Sequence, residues 1–253
     1  MTWRLVHASE VGTSHAYRGT PCQDSCCASV HHLPDGQPLL SMFVADGAGS
    51  AAKGADGAQI AIEAAASFIA EKVMLGEFGL SDGFATDIVM VVRERIYQTA
   101  EEQELKARDF ACTFLGVLST AVGTLVLQVG DGGVVLDTGG GLDVAIVPMS
   151  GEYANMTHFV TDEDAITVLA TKVYPDRAVM AAAFTDGIQR LALNLATNTP
   201  HEPFFAPFFN GMAKASTEEA DQLQGLLAKF LGSPPVNERT DDDKTLALAL
   251  WMS

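Results

Sequence analysis

The sequence predicts an α+β fold, antiparallel sheets covered by helices rather than a doubly wound parallel sheet. Three observations lead there. Short apolar runs of strand character cluster at both ends of the chain and in its middle. Two blocks of helical period separate them. The runs in the middle are divided by Gly-rich punctuation rather than by crossover helices, so they read as hairpins.

The elements follow in order. Trp3 to Val11 and Asp24 to His31 are candidate strands, and Pro34-Asp35-Gly36 is a turn signal. Leu39 to Ala45 is a short apolar run that stops abruptly at Asp46-Gly47. Ala58 to Val73, rich in Ala and Ile, sets Ile60, Ala64, Ser67 and Phe68 at helical spacing. Phe84 to Ala107 does the same with Phe84, Ile88, Val91, Val92 and Ile96, with charges on the other face. The period then shortens. Ala111 to Ser119, Thr124 to Val129, Val134 to Asp137 and Leu142 to Val147 predict a meander of hairpins. Thr161-Asp162-Glu163-Asp164 has the signature of a helix start, an N-cap followed by acidic residues. Ala178 to Phe184 is a further apolar run ending near an Asp-Gly, two or three helices are expected over Gly187 to Leu231, and Thr245 to Trp251 is a last strand. The aromatic stretch Pro203 to Phe209 is expected to pack in the core rather than to face a partner.

Composition bounds what this fold does. The 253 residues fit one domain, 1–253, that buries about 70–75% of its unfolded surface. With 48% apolar residues a core forms without disulfides. Three of the four cysteines, Cys22, Cys26 and Cys27, crowd together and Cys112 is remote, which is no secreted disulfide framework. A zinc site from His15, Cys22, Cys26 and Cys27 is the alternative, but no paired ligand spacing supports it, and reduced, partly buried thiols are expected. A net charge of −17 excludes a phosphate-backbone partner, so no nucleic acid is expected. No apolar run reaches the roughly 18–20 residues of a membrane helix. The N-terminus lacks an apolar leader, so a cytoplasmic location is the default.

Four places repeat one design. Apolar runs lead into Asp46-Gly47, Asp131-Gly132 and Asp186-Gly187, and Asp241-Asp242-Asp243 precedes the last strand. Each carboxylate thus sits at the end of a core strand that holds it rigidly, and glycine lets backbone turn or approach closely. Carboxylates converging from different strand ends repel one another unless a hard divalent cation lies between them, and all-oxygen ligands suit Mg²⁺ or Mn²⁺. Two such ions activate water and clamp a phosphoryl group. Taken singly, each Asp-Gly is better read as a turn.

The ordered motifs resemble those of the PPM-type, or type 2C, metal-dependent serine/threonine phosphatases, in their compact bacterial branch. Gln23-Asp24 sits where the family has its Glu-Asp or Gln-Asp pair, and Val44-Ala45-Asp46-Gly47-Ala48-Gly49-Ser50 stands for its V-A-D-G-x-G segment. Cys112 to Val117 matches the small-Thr-apolar strand, and Val129-Gly130-Asp131-Gly132-Gly133 the G-D-S-R turn. Phe184-Thr185-Asp186-Gly187-Ile188 matches S-D-G-L, and Asp242-Asp243-Lys244-Thr245 matches D-N-x-T. The resemblance implies a four-layer α/β/β/α sandwich and two Mn²⁺ or Mg²⁺ ions. It implies that Asp46 bridges the metals, that Asp186 and Asp242 complete the first, that the Gly47 carbonyl binds the second, and that Asp24 holds its waters. Asp131 with Asp186 is the place for a third, weaker metal. A metal-bridging hydroxide would then attack phosphorus directly, and the substrates would be phosphorylated proteins made by a bacterial serine/threonine kinase.

Four positions depart from the commoner pattern. Gln23 is neutral where many relatives carry Glu. Gly19 stands where many relatives carry a phosphate-gripping Arg, which makes the adjacent Arg18 a candidate for that contact. Ala48 stands where some relatives carry a His, so His15 is a candidate substrate contact and acid, the alternative being a metal-bound water that protonates the leaving oxygen. Arg190 stands where some relatives carry another acid for the third metal. Two other functions stay open: a non-catalytic phosphopeptide-binding module on the same fold, and a hydrolase of small phosphomonoesters.

Overall fold

The computed structural model of the chain describes residues 1–146 and 157–252. In chain order the first half comprises β1 (Thr2–Glu10), α1 (Thr13–Arg18), β2 (Asp24–His32), β3 (Pro38–Asp46), α2 (Gly54–Leu75), α3 (Asp82–Glu102), β4 (Phe114–Thr120), β5 (Gly123–Val129), β6 (Gly133–Asp137) and β7 (Asp143–Val144). The second half comprises β8 (Ala170–Tyr174), β9 (Met180–Phe184), α4 (Gln189–Ala192), β10 (Leu193–Asn194), β11 (Thr199–Pro200), α5 (Glu202–Lys214), α6 (Thr217–Leu231), α7 (Pro234–Asn237) and β12 (Lys244–Met252).

Two five-stranded sheets form, in the orders β2-β3-β4-β5-β8 and β1-β12-β9-β6-β7. Every pairing in them is antiparallel. The alternation of side chains along each strand explains the layers. On β3, Leu39, Phe43 and Ala45 face α2 and α3, whereas Leu40, Met42 and Val44 face the other sheet. On β12, Leu246, Leu248 and Leu250 face α5 and α6, and Ala247 and Ala249 face inward. The second sheet meets its partner with small residues, Ala181, Ala183, Ala247 and Ala249, and the first answers with Met42, Val44, Leu115 and Val117. The result is the four-layer α/β/β/α sandwich that the resemblance implied.

The helices form for local reasons. Ser81 caps α3 by accepting from the Phe84 amide at 3.2 Å, and α6 opens on a capping box between Ser216 and Glu219. Phe205, Phe209 and Met212 of α5 are buried against β12, so the aromatic stretch is core, as expected. Among the described residues no helix is long and apolar enough to cross a membrane.

Several expectations are corrected. The meander splits. β4 and β5 form a hairpin in the first sheet, but β6 crosses to the second and pairs with β9. Gly130 and Gly132, both at φ +93°, make that crossing, a backbone state in which a side chain is strained. The predicted strand from Leu142 is only two residues long, and its end at Val147 lies outside the described residues. Thr161 to Asp164 starts no helix. Asp162 instead accepts from the Phe159 amide at 2.8 Å and the segment folds into successive turns. On α2 the fully buried stripe is Ala58, Ala61, Ile62, Ala65 and Ile69. Ile60, Ala64 and Phe68 flank it and Ser67 is exposed, because small alanines let the helix lie close to the sheet. The short elements α1 and β8 carried too few periodic residues to be read in advance.

The zinc alternative fails on geometry. Neighbours on a strand point to opposite faces. Cys26 accordingly packs between the sheets while Cys27 packs on the helix side. All four cysteines are free, with three half-buried and Cys112 buried.

Candidate active site and metal centre

The strand ends gather the predicted acids at one edge of the sandwich. Asp24 opens β2 and Asp46 closes β3, and the two are direct partners across the ladder. Asp186 follows β9 in a 3₁₀ turn, Asp186–Ile188. Asp242 precedes β12, the strand paired with β9. Asp131 sits on the turn where the chain passes between the sheets. An open cleft of about 390 Å³ is lined by Asp46, Gly47, Asp131, Asp186 and Asp242, together with His15, Arg18 and Gln23. Asp24 lies beneath its floor, buried.

Glycine serves two purposes here. A Cβ on Gly47 would come within 2.3 Å of the Gly54 backbone, and one on Gly187 within 1.8 Å of the Asp243 carbonyl oxygen. Neither glycine has positive φ, so at both sites the glycine serves close packing, at Gly187 within the 3₁₀ turn. At Asp131-Gly132 the turn reading holds.

Threonines lock the acids, Thr113, Thr185 and Thr245 from buried positions and Thr157 from a half-buried one. Thr113 Oγ1 accepts from the Asp46 amide at 3.0 Å, and the Thr113 amide donates to the Asp46 carbonyl at 2.8 Å. Thr185 Oγ1 donates to Asp24 Oδ2 at 2.7 Å and accepts from the Thr245 amide at 3.1 Å. Thr157 Oγ1 donates to Asp131 Oδ2 at 2.7 Å. The three aspartates before β12 divide two against one, Asp241 and Asp242 lining the cleft and Asp243 not. Asp242 is exposed to the cleft, while Asp243 turns inward and is 3% exposed. Sequence reasoning missed this role of Asp243, and no periodicity signals it, because the three aspartates precede the strand.

The electrostatics test whether a metal fits. Burial pushes the Asp46 carboxyl far above the usual range, and the charges of Asp24, Asp186 and Asp242 push it further. Asp24 is raised by burial and by Asp243 and Asp186, against the pull of its threonine hydrogen bonds. Asp186 is raised by burial, then by Asp131 and Asp242. Among the described residues no Lys or Arg forms an ion pair with these acids. Asp24 Oδ1 and Asp186 Oδ1 are buried with no protein hydrogen-bond partner. Crowded carboxylates with orphaned oxygens and no thiolate among them fit hard divalent cations. Among the described residues the group whose ligating atoms all lie within 4.8 Å of one another is not the floor acids but His158, Asp162 and Asp164, on the turns beside the lining residues Thr157 and Phe159.

An acid-floored cleft at the edge of an α/β/β/α sandwich defines a metal-dependent phosphoester hydrolase. Comparison with known proteins narrows this. Residues 11–231 match the protein phosphatase 2C family, and the chain belongs to that family. It is 59% identical over 251 residues to serine/threonine-protein phosphatase 3 of Escherichia coli (strain K12), covering 99% of each chain. Among solved structures it resembles the serine/threonine phosphatase Stp1 from Staphylococcus aureus, with TM-score 0.59 and 12% identity, over 100% of this chain and 96% of that one. It also resembles the catalytic domain of the phosphatase PstP in complex with two manganese ions, with TM-score 0.60 and 16% identity, over 98% and 97%.

Proposed function

We propose that this protein is a divalent-metal-dependent serine/threonine protein phosphatase that releases phosphate from phosphorylated proteins. The observation that carries this reading is the convergence of Asp46, Asp186 and Asp242 on one cleft, with orphaned carboxylate oxygen beneath it. The close relative named as a serine/threonine phosphatase supports the substrate class.

Two ions, Mn²⁺ or Mg²⁺, suit this donor set. Asp46, central among the acids, would touch both, Asp186 and Asp242 would hold the first, the Gly47 carbonyl would take the second, and Asp24 would hold its waters. Asp131 with Asp186 would offer a third, weaker position. When bound, such ions polarise phosphoryl oxygens and make water nucleophilic at neutral pH. The chain's own groups do the rest. Thr113 and Thr185 keep the acids in register, and Arg18 at the rim binds the incoming phosphate. Displacement at phosphorus is direct, with no phosphoenzyme. The substrates are products of a bacterial-type serine/threonine kinase, and the chain works as one domain, 1–253, in the cytoplasm.

The test is phosphate release by chelator-stripped protein reloaded with Mn²⁺ or Mg²⁺. Phosphoserine and phosphothreonine peptides are expected to be hydrolysed in preference to sugar phosphates, and only with metal. Binding of phosphopeptides without turnover would make the protein a recognition module instead. A preference for sugar phosphates would make it a small-molecule phosphatase.

A further inference from the structure

We propose that His15 is the proton donor to the departing serine or threonine oxygen, and that buried Asp243 is its positioning residue. The inference rests on the phosphatase reading above and assigns a step that the metals and acids leave open. A serine alkoxide leaves poorly at neutral pH unless a proton arrives as the P–O bond breaks.

The lining of the cleft narrows the donor. Asp46, Asp131, Asp186 and Asp242 belong to the metal floor, Asp241 is exposed with no side-chain hydrogen bond among the described residues to fix it, Arg18 cannot give up a proton, and Gly47, Ala48, Gly49 and Phe159 have no polar side chain. Ser14, Thr113 and Thr157 carry only hydroxyls that do not titrate near neutrality, and Gln23 carries an amide. Of the lining residues outside the metal floor, His15 has the side-chain type that most often serves as a general acid, and it is the one tied to a buried carboxylate.

The mounting of His15 is built rather than incidental. Its Nδ1 lies 2.7 Å from Asp243 Oδ2. Asp243 is held from behind by the Gly12 amide on Oδ1 at 2.6 Å and by the Gln23 amide on Oδ2 at 2.6 Å. Both Asp243 oxygens already accept from backbone amides, and in the same sense the bond to His15 takes Nδ1–H as its donor. The ring is thereby fixed in orientation and Nε2 is left, without a protein hydrogen-bond partner among the described residues, as the nitrogen available to substrate. A base oriented by a third, buried group is the general signature of a working proton-transfer residue.

The step balances. The oxygen of water forms the new bond to phosphorus, and the bond from phosphorus to the seryl oxygen breaks. Its electron pair stays on that oxygen, which takes the proton from His15 Nε2. The proton lost by the attacking water returns through solvent to the imidazole. Phosphoester and water thus become phosphate and alcohol.

Leaving-group dependence tests this, since nitrophenolate departs without a proton. His15→Asn keeps a donor toward Asp243 but has no transferable proton, and its folding is checked by its thermal midpoint. In the metal-loaded enzyme, kcat on a phosphoserine peptide is expected to fall by about 10²–10⁴-fold, with KM little changed. The fall on 4-nitrophenyl phosphate is expected to stay under about tenfold. Asp243→Asn is expected to show the same selectivity for the alkyl ester with a smaller loss. Equal losses on both substrates, or no loss on the peptide, would overturn the assignment while leaving the phosphatase reading standing. A wild-type enzyme that hydrolyses neither substrate with Mn²⁺ would overturn both.

Discussion

The floor and the rim of the cleft are built on opposite plans. The floor consists of carboxylates fixed to the ends of central strands, cross-braced by Thr113 and Thr185 and packed through Gly47 and Gly187 against neighbouring backbone. The rim is a six-residue helix, α1, with no buried residue, carrying Arg18 in the open and His15 tied to Asp243. The floor stores unfavourable charge that a cation relieves, and the rim supplies the cation and hydrogen-bond donors that a phosphate needs. Metal chemistry therefore depends on the rigid part of the fold, whereas substrate handling depends on a short element that diverges at little cost to stability.

That contrast breaks in measurable ways, and the largest effects belong to the floor. Asp186→Asn and Asp242→Asn are each expected to lower metal-dependent kcat/KM by more than about a hundredfold, since even groups that merely support ligands cost 10–100-fold when lost. Gly187→Ala places a methyl against the Asp243 carbonyl, and an overpacking cost of about 3 kcal/mol is expected in urea unfolding, together with weaker Mn²⁺ binding. At the rim, Arg18→Ala is expected to cost about tenfold in kcat/KM, chiefly through KM, the lower end for a charge-assisted contact because the side chain is exposed. Its thermal midpoint is expected to match wild type, which distinguishes rim from floor.

The smallest effect concerns the metal-free protein. The folded-state pKa values of Asp46, Asp24 and Asp186 lie above their unfolded values. Between the two, the folded state holds protons that the unfolded state has released, so these groups favour folding at low pH and that contribution is lost as pH rises through the folded values. The thermal midpoint of chelator-treated protein is expected to carry a falling component above about pH 4, and added Mn²⁺ is expected to reverse it.

The parts of this molecule that were legible in sequence are those with period. The strand runs ending at Asp46 and Asp186 announced both the sheets and the acids, because one pattern of core residues followed by a carboxylate specifies both. The crossing between sheets at Asp131 was invisible, since a Gly-rich turn reads alike whether the next strand joins the same sheet or another. Element α1 was lost for the opposite reason: six residues with none buried leave no apolar stripe. Asp243 shows the finer limit. Its type and neighbours were plain, but only the paired strands β9 and β12 show which of three consecutive aspartates turns inward and meets a histidine more than two hundred positions away.

The most direct test of the central claim is a Mn²⁺ titration of Asp46→Asn beside wild type, following bound metal and hydrolysis of 4-nitrophenyl phosphate together. Wild type is expected to bind metal and gain activity in parallel. The Asn variant is expected to stay folded, lose tight metal binding and lack measurable turnover. Wild-type rates in Asp46→Asn, or full activity of the parent in excess chelator, would contradict the account.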